Sequence, residues 1–436
     1  MRLSEAGWRA LEALENGNRA STAARLLGRR LIDTGLAHPR PGRPASTAGV
    51  TVVVPVRDRP RQLRRCLEAL GEDTPIVVVD DGSRDHEAVL QVARDHGAVV
   101  LRHRSPAGPA AARNTGLTRV KTELVAFLDS DCVPSEGWLG ALTGHFEDPL
   151  VAAVGPRVRP LEVPGRTLLS RYLAARSPLD LGPDEARVEL GTRISWLPTA
   201  ALVVRSSALD EPFDANLRHG EDVDLIWRLR KLGQRVRYDP RVVIRHDEPR
   251  SLRAVLGRRF RYGTSAAPLS ARHPGCAAPL VFRFWPTLTA VLLVARRPGA
   301  AGVVAGQQGA LLSRRLAALG FPPSAGGRWF AQATYDSALG LAGYAATTGL
   351  PLALAASWWR RRPATLVLLA LPALQAWYSA RPSLDPLRWT ALALLEDAAY
   401  GAGVWAGCLR TRRLAPLVPS MSRARQRGPM SSNGVS

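Results

Sequence analysis

The sequence predicts an α/β protein built around a mostly parallel sheet, and three observations support this fold class. Between residues 49 and 270, short apolar runs alternate with segments of helical periodicity. The apolar runs are rich in valine and continuous, as expected for strands that are buried on both faces. Two of them end abruptly in paired acidic residues, at the position where open α/β sheets hold their ligands.

The chain divides into four segments by composition. Residues 1–45 are predicted to form two short amphipathic helices, with stop signals at Gly17 and Gly35, followed by a proline-rich linker. The other segments are the α/β domain at 49–270, an apolar helical region at 277–410 and a disordered tail at 411–436. We expect the ligand chemistry to lie in the α/β domain.

The net charge of +22 comes almost entirely from arginine, because Lys121 and Lys231 are the only lysines among the 59 basic residues. No zinc-finger spacing and no basic strand interleaved with aromatic residues accompanies this charge, so we predict no nucleic-acid partner. The positive charge instead suits an anionic partner, such as a diphosphate or an anionic membrane face.

The four cysteines, at positions 66, 132, 276 and 408, are far apart and form no CxxC pair. A disulfide framework or a zinc site is therefore not expected, and a reducing compartment is the simpler interpretation. The N-terminus lacks the uninterrupted apolar stretch of a signal peptide. We therefore expect the folded N-terminal part to be cytoplasmic.

The first half of the α/β domain shows a regular strand–helix alternation. Strands are predicted at 49–56, 75–79 and 98–101 and before Asp129, and helices at 61–70, 87–96 and 110–118. The first strand is expected to stop pairing at Pro55, which has no N–H for the ladder. The alternation predicts parallel strands that are joined by right-handed crossovers.

Acidic residues follow two of these strands. Asp129 and Asp131 lie one residue apart after the apolar run VAFL, where two carboxylates are able to hold one hard divalent cation. Asp80 and Asp81 end another strand, where a carboxylate accepts hydrogen bonds from a ribose or a base edge. The simpler alternative for both pairs is a polar turn. The sequence contains no GxGxxG after the first strand and no GxxxxGK[ST], which disfavours a dinucleotide enzyme or a P-loop NTPase.

The second half of the domain carries further candidates. Trp196 precedes a strand and offers a flat face for a sugar or an aromatic acceptor, although a core tryptophan is equally consistent with the pattern. Glu221 and Asp222 open a helix that runs to about Leu232, where acids are also ordinary complements of the helix dipole. His246 follows a strand at 241–245.

Four motifs in order resemble the family-2 glycosyltransferases with the GT-A fold. They are VVVP at 52–55, VDDGS at 79–83, ARNTG at 112–116 and DSD at 129–131. The resemblance continues to about residue 265 and implies a UDP-sugar or similar donor, a divalent Mg²⁺ or Mn²⁺ ion, and inversion at the anomeric carbon. The RRFRYG motif at 258–263 is similar to the basic motif that closes over the diphosphate in this family, without the Gln-x-x-Arg-Trp form of processive synthases.

The same resemblance assigns roles to individual residues. The donor would contact Pro55, Asp80, Asp81, Arg113, Asp129, Arg258 and Arg261. The metal would be held by Asp131, Asp129 and His246. Asp222, with Glu221 beside it, would supply the general base that takes the acceptor proton, and Trp196 would lie against the acceptor.

Over its whole length the chain is similar to the mycofactocin-system glycosyltransferases. The features that carry this similarity are the segment RLIDTGLAHP at 30–39, the transferase motifs, the motif at 258–263 and the apolar C-terminal third. The similarity implies transfer of glucose from UDP-glucose to a small peptide-derived redox cofactor, building a short β-1,4 oligoglucoside. The alternatives are a transferase for a polyprenyl phosphate or a cell-envelope glycan, and a membrane-anchored sugar-binding module without activity.

The C-terminal third predicts membrane association at the cytoplasmic face. Residues 337–359 carry no charge and are long enough to span a bilayer, whereas residues 363–380 are marginal. Shorter apolar stretches lie at 284–295 and 298–313, and residues 389–409 are apolar apart from one acidic pair. The positive-inside rule places the arginines at 360–362 in the cytoplasm. The alternative is a helical domain that lies on the membrane surface.

Overall fold

The computed structural model describes residues 4–16, 21–41, 46–71, 74–162, 167–360 and 364–421. The first ten helices are α1 Glu5–Glu15, α2 Thr22–Thr34, α3 Pro60–Leu70, α4 His86–Asp95, α5 Pro109–Leu117, α6 Trp138–Thr143, α7 Leu168–Ala175, α8 Glu221–Lys231, α9 Leu252–Thr264 and α10 Ala266–Arg272. The C-terminal helices are α11 Phe284–Val294, α12 Pro298–Ala318, α13 Ala325–Ala346, α14 Leu350–Arg360, α15 Ala364–Ala380 and α16 Pro386–Thr411.

The strands are β1 Val50–Val56, β2 Ile76–Asp80, β3 Val99–Arg102, β4 Leu124–Leu128, β5 Cys132–Pro134, β6 Val151–Pro160, β7 Ala186–Arg187, β8 Ala201–Arg205, β9 Arg235–His246, β10 Val281–Phe282 and β11 Ser420–Met421. The main sheet has nine strands in the order β3-β2-β1-β4-β8-β6-β9-β5, with β7 paired to β9. The four strands β3, β2, β1 and β4 are parallel. This confirms the predicted strand–helix alternation for the first half of the domain.

The second half of the sheet is mixed, so the prediction of a mostly parallel sheet holds only for the first half. Strand β8 runs antiparallel to β4 and to β6, whereas β6 and β9 are parallel to each other. The connections around β8 lack the regular strand–helix crossovers that keep successive strands parallel, and this is the part where the sequence shows no such alternation.

Strand β1 continues one residue beyond the predicted end at Pro55, to Val56. The backbone N–H of Val52 donates to Pro75 on the β2 side of the strand, so the N–H groups of even-numbered residues face β2 and those of odd-numbered residues face β4. Pairing with β4 ends at Val53. An N–H at position 55 would face β4 beyond the last paired residue. The strand therefore loses no hydrogen bond through the proline at this position.

Two apolar cores lie on the two faces of the sheet. Helices α3, α4 and α6 cover one face and α5 and α8 cover the other. A third cluster joins α7 and α9 to α15 and α16, around Tyr172 and Trp389. Glycines allow α9 and α16 to cross closely, because a side chain at Gly263 or Gly403 would overlap the backbone of the facing helix. The C-terminal helices are thereby fixed against the α/β domain.

The N-terminal helices α1 and α2 confirm the predicted helix pair, and Gly35 ends α2 in the left-handed conformation with φ of +74°. The predicted stop at Gly17 lies outside the described residues, as do positions 42–45 of the linker. Asp33 pairs with Arg235 of β9 at 2.7 Å, which ties α2 to the sheet.

The C-terminal region is helical, but the predicted apolar stretch 337–359 is divided between α13 and α14 by a break at 347–349. None of the described helices has both the length and the apolar composition that a membrane-spanning helix needs. The side chains at 356–366, which include all three arginines of the predicted cluster at 360–362, lie outside what is described.

The prediction of a disordered tail from residue 411 is wrong for its first part. After α16 the chain forms a short 3₁₀ turn at Ala415–Leu417, and β11 then pairs with β10. The Tyr344 hydroxyl donates to the carbonyl of Leu417 at 3.0 Å. Residues 422–436 lie outside the described residues. Pro416 is buried and Leu417 packs against the apolar cluster of Ala267, Val404 and Cys408, which holds the first part of this segment in place.

Candidate active site

A cavity of about 820 Å³ opens at the carboxyl ends of β1, β2 and β4. Nine of the residues predicted from the sequence line it: Pro55, Asp81, Arg113, Asp129, Asp131, Trp196, Glu221, Asp222 and His246. Asp80, Arg258 and Arg261 are not part of its lining. The loops after the parallel strands meet here with the N-terminus of α8, as the position of the acids in the sequence predicts.

The two acids after β2 have different surroundings. The Asp80 carboxylate is buried and accepts a hydrogen bond from the backbone N–H of Ser83 at 2.8 Å, which is the simple turn that the sequence offered as an alternative. Asp81 lines the cavity, and its carboxylate accepts from the N–H groups of Ala107 and Gly108 at 2.8 and 2.9 Å. Asp81 therefore holds the loop before α5 against the edge of the sheet.

Arg113 links two of the predicted acids. Its guanidinium is 3% exposed and donates to Glu221 Oε1 at 2.8 Å and to Asp129 Oδ1 at 2.7 Å. Burial and the nearby Asp131 carboxylate raise the pKa of Asp129, and Arg113 opposes this effect. Glu221 is thus committed to an ion pair, which leaves its neighbour as the better candidate base.

Asp222 is the second residue of α8 and lies on the cavity wall. Burial, together with the adjacent Glu221 carboxylate, raises the pKa of Asp222 to about 7. A carboxylate that exchanges its proton near neutral pH is suited to general base catalysis.

Asp131 and His246 are brought together as the sequence predicted for a metal site. Asp131 Oδ1 lies 3.6 Å from His246 Nε2, and His246 Nδ1 lies 3.5 Å from Glu248 Oε1. A carboxylate behind the second ring nitrogen is the usual support of a metal-bound histidine. Asp129 is turned to Arg113, and no group of three or more His, Cys, Asp or Glu residues converges in the described part of the chain. The pair fits a divalent cation that takes its remaining ligands from phosphate oxygens and water.

The basic helix α9 faces the cavity with residues that the sequence analysis did not choose. Arg258 forms an ion pair with Glu248 at 2.6 Å, and Arg261 is exposed. Arg259 and Tyr262, three residues apart and hence on one face of the helix, line the cavity instead. The motif at 258–263 therefore lies beside the cavity as predicted. The rotation of α9 about its own axis, however, points Arg259 and Tyr262 into the cavity instead of Arg258 and Arg261.

Three further residues that were not predicted from the sequence, Arg57, Arg59 and His219, also line the cavity. Arg59 forms an ion pair with Asp131. The two arginines follow β1 at the same sheet edge as the acids, and that position was the signal available in the sequence. Nothing in the pattern around His219 distinguishes it from an ordinary loop residue.

A sequence model described as Glycosyl transferase family 2 matches residues 51–199. The chain is 40% identical over 411 residues to the pre-mycofactocin glycosyltransferase of Mycobacterium tuberculosis strain H37Rv, an alignment that covers 91% of this chain and 87% of that protein. It is 27% identical over 227 residues to the glycosyltransferase AglE of Haloferax volcanii, which covers 49% of this chain and 71% of AglE.

Among solved structures, the chain is similar to the mannosyltransferase PcManGT from Pyrobaculum calidifontis, solved in complex with GDP-Man and Mn²⁺. The TM-score is 0.47 at 18% identity, with 91% of this chain and 98% of that chain covered.

Proposed function

The chain belongs to the family-2 glycosyltransferases, within the group of the pre-mycofactocin glycosyltransferases, and from this premise we propose that it transfers a sugar from a nucleoside-diphosphate donor to pre-mycofactocin. We propose UDP-glucose as the donor, inversion at the anomeric carbon, and a short β-1,4 oligoglucoside as the product. The acceptor is named by the relatives, while the donor and the linkage come from the resemblance of the sequence motifs.

One observation supports this function most directly. Asp81, after β2, and Asp129 and Asp131, after β4, face one cavity together with Asp222. Arg113 joins the strand-end acids to the start of α8 by way of Asp129 and Glu221. The arrangement provides a cationic group for a diphosphate and a separate base for an alcohol, which are the two requirements of glycosyl transfer.

In the proposed reaction the acceptor hydroxyl oxygen forms a bond to the anomeric carbon, while the bond from that carbon to the diphosphate oxygen breaks. The electron pair of the broken bond leaves with the nucleoside diphosphate, and the hydroxyl proton passes to Asp222. Arg113, Arg59 and Arg259 lie along the cavity where they offset the negative charge of the diphosphate. Tyr262 and Trp196 add wall area that excludes water from the sugar.

Asp131 and His246 would hold an Mg²⁺ or Mn²⁺ ion, with Glu248 orienting the histidine ring. When bound, such an ion neutralises charge on the leaving diphosphate. Asp131 forms ion pairs with Arg59 and His246, and His246 also faces Glu248, so a variant of either residue leaves the Asp222 carboxylate in place and tests the metal site separately.

The experiment is a donor screen with purified protein and pre-mycofactocin, in the presence of Mg²⁺ or Mn²⁺. We expect transfer from UDP-glucose, detected as a hexose mass added to the acceptor, and no transfer by Asp222→Asn. The exposed Asp184→Asn variant is the matched control, because Asp184 is a carboxylate outside the cavity lining. The proposal would be wrong if no nucleoside-diphosphate sugar is consumed by the wild-type protein.

We further propose that the protein works at the cytoplasmic face of the membrane, with the C-terminal helices lying on the lipid surface. Support comes from apolar side chains on these helices that are about half exposed, among them Trp285, Leu293 and Trp329. Arg296 and Arg297 adjoin α11 and would face anionic headgroups.

Flotation with vesicles that contain phosphatidylglycerol tests this docking. We expect Trp285→Ser combined with Trp329→Ser to reduce binding several-fold, because each removes exposed aromatic area. Trp8→Ser, on the N-terminal helix α1 and similarly exposed, is the matched control. Equal flotation of all three proteins would refute the role of the C-terminal helices.

A further inference from the structure

The active-site cavity has a second end that the donor chemistry described above does not use. Its lining continues from the α/β domain onto the C-terminal helices, through residues 276–279, Thr347, Thr348, Tyr400 and Val404. None of these side chains carries a charge at neutral pH, whereas the sheet edge of the same cavity is lined by carboxylates and arginines. We call these residues the C-terminal chamber.

Asp222 lies at the junction of the charged end and this chamber. The adjacent Glu221 reaches Arg113 on the donor side. On the other side, Gly220 packs against α10, where an added Cβ would stand 3.0 Å from Leu269 Cδ1. Leu269 also lines the cavity. A base in this position lies between the donor-side ion pair of Arg113 and helix α10, which packs against Tyr400 and Val404 of the chamber.

The walls of the chamber are held by close backbone contacts. A Cβ at Gly401 would overlap the carbonyl of Thr347, so the glycine allows α16 to touch the break between α13 and α14. The indole N–H of Trp405 donates to the carbonyl of Thr348 at 2.8 Å. These contacts fix the break as a rigid wall, which is the form that a preorganised binding site takes.

One polar atom inside the chamber has no partner. Thr348 is 3% exposed, lines the cavity, and its Oγ1 makes no hydrogen bond within the described residues. A buried hydroxyl without a partner is unfavourable, and native proteins nearly always satisfy such groups. A mostly apolar wall that leaves the buried Thr348 hydroxyl unused therefore suits a ligand that brings a hydrogen-bonding group of its own.

We propose that the C-terminal chamber binds the acceptor, with the Thr348 hydroxyl bonded to one of its polar groups and the reacting hydroxyl held at Asp222. The inference rests on the proposed function and adds to it the place of the acceptor and the residue that orients it. The cavity of about 820 Å³ has to hold the donor as well, which favours a compact ring over a long lipid. Trp196 offers a flat face for such a ring, whereas one face of Tyr400 is covered by the Arg259 guanidinium, 5.3 Å from the ring centroid.

The test uses the full-length protein with pre-mycofactocin and with a polyprenyl phosphate as competing acceptors. Thr348→Val removes the hydroxyl and keeps the shape, and we expect it to raise the KM for pre-mycofactocin about tenfold, the range of one lost hydrogen bond, without changing the KM for the donor. Thr390→Val is the matched control, because the Thr390 hydroxyl also has no partner in the described residues and lies outside the cavity lining.

A second variant fills the chamber. Ala278→Phe places a ring in the lining, and we expect loss of transfer with donor hydrolysis unchanged. Ala271→Phe, a similarly half-buried alanine outside the lining, should keep both activities. Donor hydrolysis separates the two proposals: a wild-type protein that consumes no donor removes the proposed function, whereas hydrolysis with an unchanged acceptor KM in both chamber variants removes only this inference.

Cysteine labelling gives a measurement that needs no variant. Cys276 lies in the chamber and is half buried, whereas the other three cysteines are buried. We expect pre-mycofactocin to slow alkylation of Cys276 by N-ethylmaleimide and UDP alone to leave it unchanged. Alkylation that is not slowed by pre-mycofactocin, or transfer of the sugar to polyprenyl phosphate in preference to it, would overturn the inference.

Discussion

Replacing Asp222 with asparagine separates its role as a base from its role in the structure. The substitution keeps the size of the side chain and its contact with the start of α8, and it removes the group that accepts the proton. General base catalysis contributes a factor of about 10²–10⁴ in rate, so we expect kcat for transfer to fall by about that factor. Donor binding, measured by calorimetry with UDP, should change little because Arg113 and the strand-end acids remain.

The pH dependence follows from the same group. Burial raises the pKa of Asp222 to about 7, so the base is mostly charged above pH 7 and mostly protonated below it. We expect the wild-type transfer rate to fall about tenfold for each pH unit below 7 and to level off above it. The Asp222→Asn variant should lose this limb of the profile.

The folded protein should also become more stable when Asp222 is replaced. An acid with a raised pKa in the folded state binds more protons there than in the unfolded chain, so stability is lost as the pH rises from about 4 to about 7. The difference between about 7 and the ordinary value of 3.8 is worth at most about 4 kcal/mol. Thermal unfolding at pH 8 should show a higher Tm for Asp222→Asn, and the two proteins should agree near pH 4.

The reasoning would be refuted by a variant that keeps transfer within about threefold of the wild type. It would also be refuted if the loss of activity came entirely from weaker donor binding, because Asp222 would then contact the donor. The exposed Asp184→Asn variant controls for the loss of a carboxylate and should match the wild type in rate, pH profile and Tm.

Three further predictions concern the groups around the base. Asp131→Ala should abolish the stimulation of transfer by Mn²⁺ and weaken Mn²⁺ binding measured by electron paramagnetic resonance, and unchanged Mn²⁺ binding would contradict its role as a ligand. Arg113→Lys should lower kcat/KM for the donor about 10–100-fold, because a lysine cannot bridge Glu221 and Asp129 at once; the KM for the acceptor should not change, and a selective effect on it would exclude the donor role. Glu396→Gln should weaken the hold on Arg259, which lies 3.9 Å away, and raise the donor KM a few-fold with Tm nearly unchanged; a large fall in Tm alone would make Glu396 purely structural.

The sequence predicted the parallel half of the sheet because each element there carries its own local signal. Valine-rich runs such as 50–56 and 76–80 are buried on both faces and read as strands without knowledge of their neighbours. The acids after them share one edge because parallel strands end on the same side. Asp81 and Asp131 were predicted in this way and line the cavity, whereas His246, which also lines it, was identified from the family resemblance.

Other features depended on contacts between distant segments. Strand β8 pairs antiparallel with β4 over a separation that no local pattern encodes. Asp80 and Asp81 are adjacent in sequence, yet one closes a turn and the other faces the cavity, because successive side chains at a strand end point to opposite sides. The charge-free stretch 337–359 has the composition of a membrane span, but its course is broken where Gly401 lets α16 approach Thr347.

What the sequence determined by itself is the parallel half of the sheet and the acids at its edge, since these follow from periodicity and from residue types at fixed spacing, together with the family, which its four motifs resemble. Only the tertiary structure decided that Arg259 rather than Arg258 or Arg261 reaches the cavity, because the rotation of α9 against α16 is set by packing. It alone brought Thr348 and Tyr400 to the same cavity as Asp222. Thr348, Tyr400 and Asp222 meet because glycines allow segments that are far apart in the sequence to pack closely. Contacts of this kind produce no periodic pattern in the amino-acid sequence.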